Sequence, residues 1–155
     1  MKISLNDWLR LGTIGPLQWG ASLPDFFNLW PTEKGSFKQL IRLGYPFLSL
    51  DNIEFYFEDD NFHHLHELVI KVWCLSKKAS SPYFDYAWLH ADLTYPQVRV
   101  ALHKLEIPHA VERGPAHNTP NIQTSSGCLF VFYVDDEQHD EDAVLAKIYL
   151  TRISS

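Results

Sequence analysis

The chain has 155 residues, enough for one domain or for two small fused ones, and 14% of them are aromatic. Its formal charge of −6 argues against binding to nucleic acid, because a phosphate backbone needs clustered lysine and arginine side chains. The acidic balance instead suits solubility or a basic partner.

The opening segment MKISLNDWLRLG has no long apolar core, and no run in the chain approaches the ~20 apolar residues of a membrane span. The two cysteines, Cys74 and Cys128, are each expected at the end of a strand as buried free thiols. These features predict a cytoplasmic protein that does not bind a membrane.

The first half of the chain predicts two helices and a β-hairpin. The glycines between the two helices read as turn and packing positions, because their spacing fits no phosphate motif and no Lys-Ser/Thr pair follows them. The predicted elements are a helix at 5–11, a helix from Leu23 that ends before Pro31, a strand at 37–43, a short apolar segment at 47–50 and a hairpin at about 53–58 and 67–75.

The second half predicts one helix and another hairpin after a polar linker at 77–82. The long segment 112–126 is polar and rich in turn-forming residues, so it is expected to be a loop. The remaining predictions are a partly helical or irregular stretch at 83–93, a helix from Tyr95 to about Glu106, a strand at His109–Val111 and a hairpin at about 128–134 and 143–152.

The two hairpins resemble each other in sequence. Ile53–Cys74 aligns with Leu129–Leu150 at a shift of 76 positions without a gap, and each copy is an apolar run, an acidic turn and a second run with a central lysine. Four aligned pairs are identical: Asp59/Asp135, Asp60/Asp136, His63/His139 and Lys71/Lys147. An internal duplication would explain this agreement.

The helix starts before the hairpins agree as well. Ser22-Leu23-Pro24-Asp25 is matched by Thr94-Tyr95-Pro96-Gln97, and each segment offers a capping hydroxyl, a proline in the first turn and a side chain that can reach back. The sequence therefore predicts an α+β fold of two tandem units, 1–76 and 83–155, each with helices on one face of an antiparallel sheet and the other face open.

Alternation along the strands predicts which face each side chain occupies. Ile53, Phe55 and Phe57, with Leu68, Ile70, Val72 and Cys74, are expected under the helices, as are Val131 and Ile148. The opposite set mixes aromatic side chains with carboxylates and lysines, a composition typical of protein-binding patches. We predict the following partner-binding residues: Glu54, Tyr56, Glu58, Lys71, Trp73, Phe130, Phe132, Lys147 and Tyr149. The alternative is that this face is buried by the other copy or by a homodimer mate.

Three groups could carry chemistry, and none has a convincing pattern. His63, His64 and His66 lie in or beside a hairpin turn, where two at most share a face, so no metal site is predicted. The repeated Asp-Asp pairs lack a calcium-loop glycine and suit turns. A couple between Cys128 and a histidine has no local signature. The sequence predicts neither enzymatic activity nor a cofactor.

The segment Gly20-Ala21-Ser22-Leu23-Pro24-Asp25-Phe26 resembles the helix opening G-x-[ST]-x-x-[DE/Q]-apolar of the β-lactamase inhibitor protein family, and Asp92–Val98 is similar without the glycine. The opening WLRLGTIGPL also resembles small uncharacterised bacterial proteins, some encoded near toxin or defence genes. These resemblances imply two tandem units that grip a partner protein. The inhibitor family is secreted and disulfide-bonded, so neither β-lactamase inhibition nor any contact residue is transferred.

These observations favour a non-catalytic protein-binding module, such as an immunity protein or inhibitor that neutralises a bacterial toxin or enzyme. A homodimeric structural or interaction protein with buried sheet faces is the alternative. A small metal hydrolase that uses the His63/His64/His66 region is a third hypothesis.

Overall fold

The computed structural model describes residues 2–78, 80–113, 119–134 and 139–153. Over these ranges the elements are, in chain order, β1 Ile3–Ser4, α1 Leu5–Leu11, α2 Leu23–Leu29, α3 Lys34–Arg42, β2 Phe47–Leu50, β3 Ile53–Phe57, β4 Leu65–Ile70, β5 Phe84–Asp85, α4 Tyr95–Lys104, β6 His109–Arg113, β7 Pro120–Thr124, β8 Cys128–Tyr133 and β9 Val144–Thr151. Short 3-10 helices span Pro31–Glu33, Val72–Cys74 and Asp140–Asp142. The predicted α+β class is confirmed.

The larger sheet has seven antiparallel strands in the order β2–β3–β4–β9–β8–β7–β6, and β1 pairs in parallel with β5 in a separate small sheet. β4 and β9 meet in the middle, where Leu68 lies opposite Leu150 and Ile70 opposite Ile148. β3 and β8 flank this central pair. The two predicted hairpins therefore lie side by side in one continuous ladder.

The helices cover one face of the larger sheet. The ring of Phe55 on β3 lies 5.0 Å from that of Phe26 on α2, and the ring of Phe132 on β8 lies 5.3 Å from that of Tyr95 on α4. Buried side chains from both halves of the chain join in one hydrophobic cluster. The opposite face consists mainly of side chains that stay partly exposed.

Both predicted helix starts carry the expected caps. At the start of α2 the backbone N–H of Ser22 donates to the Asp25 carboxylate at 2.9 Å. At the start of α4 the N–H of Thr94 donates to the Gln97 side chain at 2.9 Å, and the Thr94 hydroxyl accepts from the Gln97 N–H at 3.4 Å. These reciprocal bonds satisfy N–H groups that the helix itself cannot use.

The chain at and just after the predicted boundary between the units forms side-chain hydrogen bonds with the first half of the chain. Residue 79, inside the predicted linker 77–82, lies outside the described residues. The buried Ser81 hydroxyl donates to the Asp51 carboxylate in the β2–β3 turn, and the Trp88 indole donates to the Asn6 side chain at 2.9 Å. The division into units 1–76 and 83–155 stays a prediction.

Three secondary-structure predictions were wrong, including the strand expected at 67–75, because β4 ends at Ile70 and a 3-10 helix follows at Val72–Cys74. The strand expected at 37–43 is part of α3, because Phe37, Leu40 and Ile41 recur at helical spacing and Phe37 is fully buried. The loop expected at 112–126 contains the end of β6 and all of β7, whereas 114–118 lie outside the described residues. β7 is mostly polar in composition, but its residues alternate between buried and partly exposed, and Ile122 is among the buried ones.

Candidate functional site

Cross-strand pairing identifies the residues of the partly exposed sheet face, because residues directly opposite each other point to the same side. Glu54 lies opposite Val69 and Tyr56 opposite Glu67 on the β3–β4 ladder. Val69 in turn lies opposite Tyr149 on β9. Carboxylates and aromatic rings from three neighbouring strands therefore share this face.

These side chains line a shallow groove of about 490 Å³, which we call the sheet groove. Six of the nine predicted partner-binding residues line it, namely Glu54, Tyr56, Lys71, Trp73, Lys147 and Tyr149. Glu67 and Val69 complete the lining and were not in the predicted site. Glu67 and Val69 lie four and two residues before Lys71, so the alternation that selected Lys71 also predicts them on this face.

Glu54 is held by two neighbours in the groove. It accepts a hydrogen bond from the Tyr56 hydroxyl at 3.0 Å, and its other carboxylate oxygen lies 3.7 Å from the Lys71 ammonium. Burial, reinforced by the bond to Glu54 and by its charge, raises the pKa of Tyr56 to about 12. The phenol therefore stays protonated and keeps its orientation over the physiological pH range.

The other end of the groove presents exposed aromatic surface. Trp73 is 62% exposed and lies in the 3-10 helix Val72–Cys74, not in the predicted strand. The ladder between β3 and β4 ends at Ile70, so Trp73 is turned out of the sheet. On the neighbouring strand the Lys147 ammonium lies 5.1 Å from the centre of the Tyr149 ring, within the range of a cation–π contact.

Three predicted site residues do not line the groove. Phe130 and Phe132 were predicted on the open face but are 0% and 3% exposed, so they belong to the core. Phe130 lies opposite the buried Ile148, which fixes its direction, and the face predicted for Val131 is wrong for the same reason. Glu58 is exposed just beyond the end of β3.

The gapless alignment of the hairpins explains this error. A shift of one residue along a strand exchanges its two faces. Ile53 of the first copy aligns with Leu129, yet the buried residue at the start of β8 is Cys128. The assignments of Phe130, Val131 and Phe132 on β8 were therefore all inverted.

The histidine cluster is divided between the turn, which holds His63 and His64, and β4, which holds His66. His63 and His64 are exposed, and the Nδ1 atom of His63 lies 3.1 Å from the Asp59 carboxylate. Asp59 also accepts from the backbone N–H groups of Asn61 and His63 at 2.9 and 3.1 Å. Across the described ranges, no three His, Cys, Asp or Glu side chains are placed to hold a metal ion. Asp135 and Asp136 lie outside those ranges.

The two cysteines differ in environment. Cys74 is exposed, contrary to the prediction of a buried thiol, because it lies in the 3-10 helix Val72–Cys74. Cys128 is buried and lies 3.7 Å from both the Ser126 hydroxyl and the Leu9 carbonyl oxygen. Burial raises the pKa of the Cys128 thiol, the opposite of what a nucleophilic cysteine requires.

Comparison with protein-family models, with curated proteins and with solved structures finds no match for this chain. The resemblance to the β-lactamase inhibitor protein family therefore stays a prediction. Among the helices of the described ranges, none combines the length and the apolar character needed to cross a membrane.

Proposed function

We propose that this chain is a non-catalytic protein-binding module that holds its partner in the sheet groove, as an immunity protein or an inhibitor of a bacterial toxin or enzyme would. The observation that carries the proposal is the position of Trp73, which is 62% exposed at the end of a groove that also presents Tyr56 and Tyr149. Trp and Tyr are enriched among the residues that dominate binding energy.

The polar side chains of the groove support the same function. Glu54 is already bonded to Tyr56 and lies near Lys71, so these groups are ordered before a partner arrives. Pre-ordering lowers the entropy that binding costs. Lys147 adds a cation that would favour an acidic patch on the partner.

We also infer that the sheet arose by duplication of a helix-plus-hairpin unit. The sheet order supports this, because β3–β4 and β8–β9 lie on opposite sides of the central β4–β9 contact. Capping boxes on α2 and α4 support it too. The groove then takes Glu54, Tyr56, Lys71 and Trp73 from the first copy and Lys147 and Tyr149 from the second.

The experiment is affinity capture from the source cell, followed by binding measurements between the purified chain and the captured protein. Trp73→Ala should weaken binding by roughly 2 kcal/mol or more while leaving the melting temperature nearly unchanged. Leu43→Ala is the matched control, because Leu43 is also 62% exposed but lies at the end of α3. If no protein is captured at constant stoichiometry, or if both variants bind like the unaltered chain, the proposal is wrong.

The second candidate is a homodimer in which two sheet grooves bury each other. The same partly exposed aromatic surface favours it, since a symmetric contact between two such faces would remove it from water. Light scattering separates the candidates: a dimer that does not dissociate on dilution, and that Trp73→Ala disrupts, supports the homodimer.

A further inference from the structure

The two terminal strands of the larger sheet differ in how well they are covered. β2 forms one edge, and its Leu48 and Leu50 are 0% and 3% exposed. Among the strands of the described residues, β6 forms the other edge and pairs with β7 alone. Its residues from Ala110 to Arg113 are all exposed, including Val111 at 42%. An exposed edge strand of this kind offers unpaired backbone N–H and C=O groups to another chain.

A cationic hollow adjoins this edge. Arg99, His103 and Lys104 recur at helical spacing on α4, around the exposed Val100. Together with Pro96 and His109, the first residue of β6, they line a hollow of about 480 Å³. The described residues that line it include no carboxylate. A cluster of this sign is unusual on a chain whose net charge is −6.

Alternation along β6 shows which side chains an added strand would meet. His109 and Val111 lie opposite the buried Thr124 and Ile122, so they point to the helix side of the sheet, where the cationic hollow lies. Arg113 follows on the same side, and its guanidinium donates to the Asp140 carboxylate at 2.9 Å. The cations beside an added strand are therefore Arg99 and Lys104 of α4.

We propose that β6 and the cationic hollow together bind an extended acidic segment of a partner protein, which joins the larger sheet as an additional strand. Backbone hydrogen bonds to β6 hold the segment, as in other complexes that extend a sheet. Acidic side chains on its helix side face Arg99 and Lys104. This surface is separate from the sheet groove, so the proposal does not depend on the proposed function.

The probe is a capped nine-residue peptide that alternates glutamate with valine, titrated against the full chain by fluorescence anisotropy. We expect a dissociation constant between about 1 and 100 µM at low salt, rising severalfold as screening increases. The double variant Arg99→Glu/Lys104→Glu should weaken binding about tenfold or more. Trp73→Ala should leave it unchanged.

Two controls separate strand addition from simple charge attraction. A peptide N-methylated at alternate residues cannot donate to β6 and should bind at least about tenfold more weakly, without any change to the chain. A peptide with lysine in place of glutamate should not bind. No binding at about 1 mM, or equal binding of the N-methylated or lysine peptide, would overturn the proposal.

A second copy of the chain is the other occupant to test. Sedimentation of the unaltered chain and of Val111→Pro should both give a monomer. If the unaltered chain is a dimer and Val111→Pro makes it monomeric, the β6 edge is filled by its own copy, and the proposal is wrong.

Discussion

Replacing Phe55 by alanine tests the face assignment on which the sheet groove depends. Phe55 is fully buried in the middle of β3, and its ring lies 5.0 Å from the ring of Phe26 and 6.0 Å from that of Trp30. Its cross-strand neighbours Leu48 and Leu68 are also fully buried. The alanine variant therefore leaves a cavity with large rings on one side and paired strands on the other.

The cost follows from those neighbours. Deleting a buried phenylalanine side chain usually costs about 3–5 kcal/mol, and more where the site cannot collapse. That range already includes the lost ring contacts, which are worth roughly 0.5–1.5 kcal/mol each. We expect a loss of about 4 kcal/mol, which for a chain of this size lowers the melting temperature by roughly 8–16 °C.

Urea denaturation followed by circular dichroism and by tryptophan fluorescence measures this loss. Leu43→Ala is the control, because a side chain that is 62% exposed should change stability by less than about 0.5 kcal/mol. A loss below about 1 kcal/mol in Phe55→Ala, with the control unchanged, would mean that β3 turns its other face to the helices. The sheet groove would then not exist as described.

Three further outcomes are expected. Spectrophotometric titration should place the pKa of Tyr56 at about 12, so the stabilisation that comes from the neutral phenol is complete below pH 10 and is lost as pH rises towards 12; Glu54→Gln should lower this pKa without restoring 10.0, because burial remains. A tyrosine that titrates at its ordinary value would contradict the groove geometry. Ellman's reagent should label Cys74 at once and Cys128 only in denaturant, since the first thiol is exposed and the second buried; labelling of two thiols in the folded chain would refute this. In Gly12→Ala the left-handed backbone, with φ of +71°, costs about 1–2 kcal/mol by itself. The loss of stability should exceed that, because the new Cβ would also collide with a carbonyl oxygen of the β7–β8 turn. An unchanged denaturation midpoint would show that the turn is not packed against Gly12.

Local chemistry made part of this fold predictable. The capped helix starts at Ser22 and Thr94 depend only on residues within one turn, so the sequence contains the whole signal. The first hairpin alternates buried and partly exposed residues from Ile53 to Phe57, which gave its core face correctly. Four residues of the sheet groove, Glu54, Tyr56, Lys147 and Tyr149, followed from alternation on β3 and β9, whereas Lys71 and Trp73 line it from beyond the end of β4.

Tertiary pairing decided what the sequence left ambiguous. In β8 both sets of alternate residues are apolar, so periodicity cannot choose between Leu129 and Phe130 as core, and the pairing of Phe130 with Ile148 makes the choice. In β7 only Ile122 is strongly apolar, so the strand is recognisable only beside its neighbours. Trp73 lies outside the strand because the β3–β4 ladder ends at Ile70. No local sequence pattern indicates that the ladder ends there.

The central position of β9 has a consequence for how the protein is made. This strand fills the space between β4 and β8, although it is translated after both. Without β9, strands β2–β3–β4 and β6–β7–β8 can form only two separate partial sheets, with open edges at β4 and β8. Open edges are the surfaces through which strands aggregate. A chain that lacks Val144–Thr151 would therefore have no strand to join β4 to β8, and both of these strands would present an open edge.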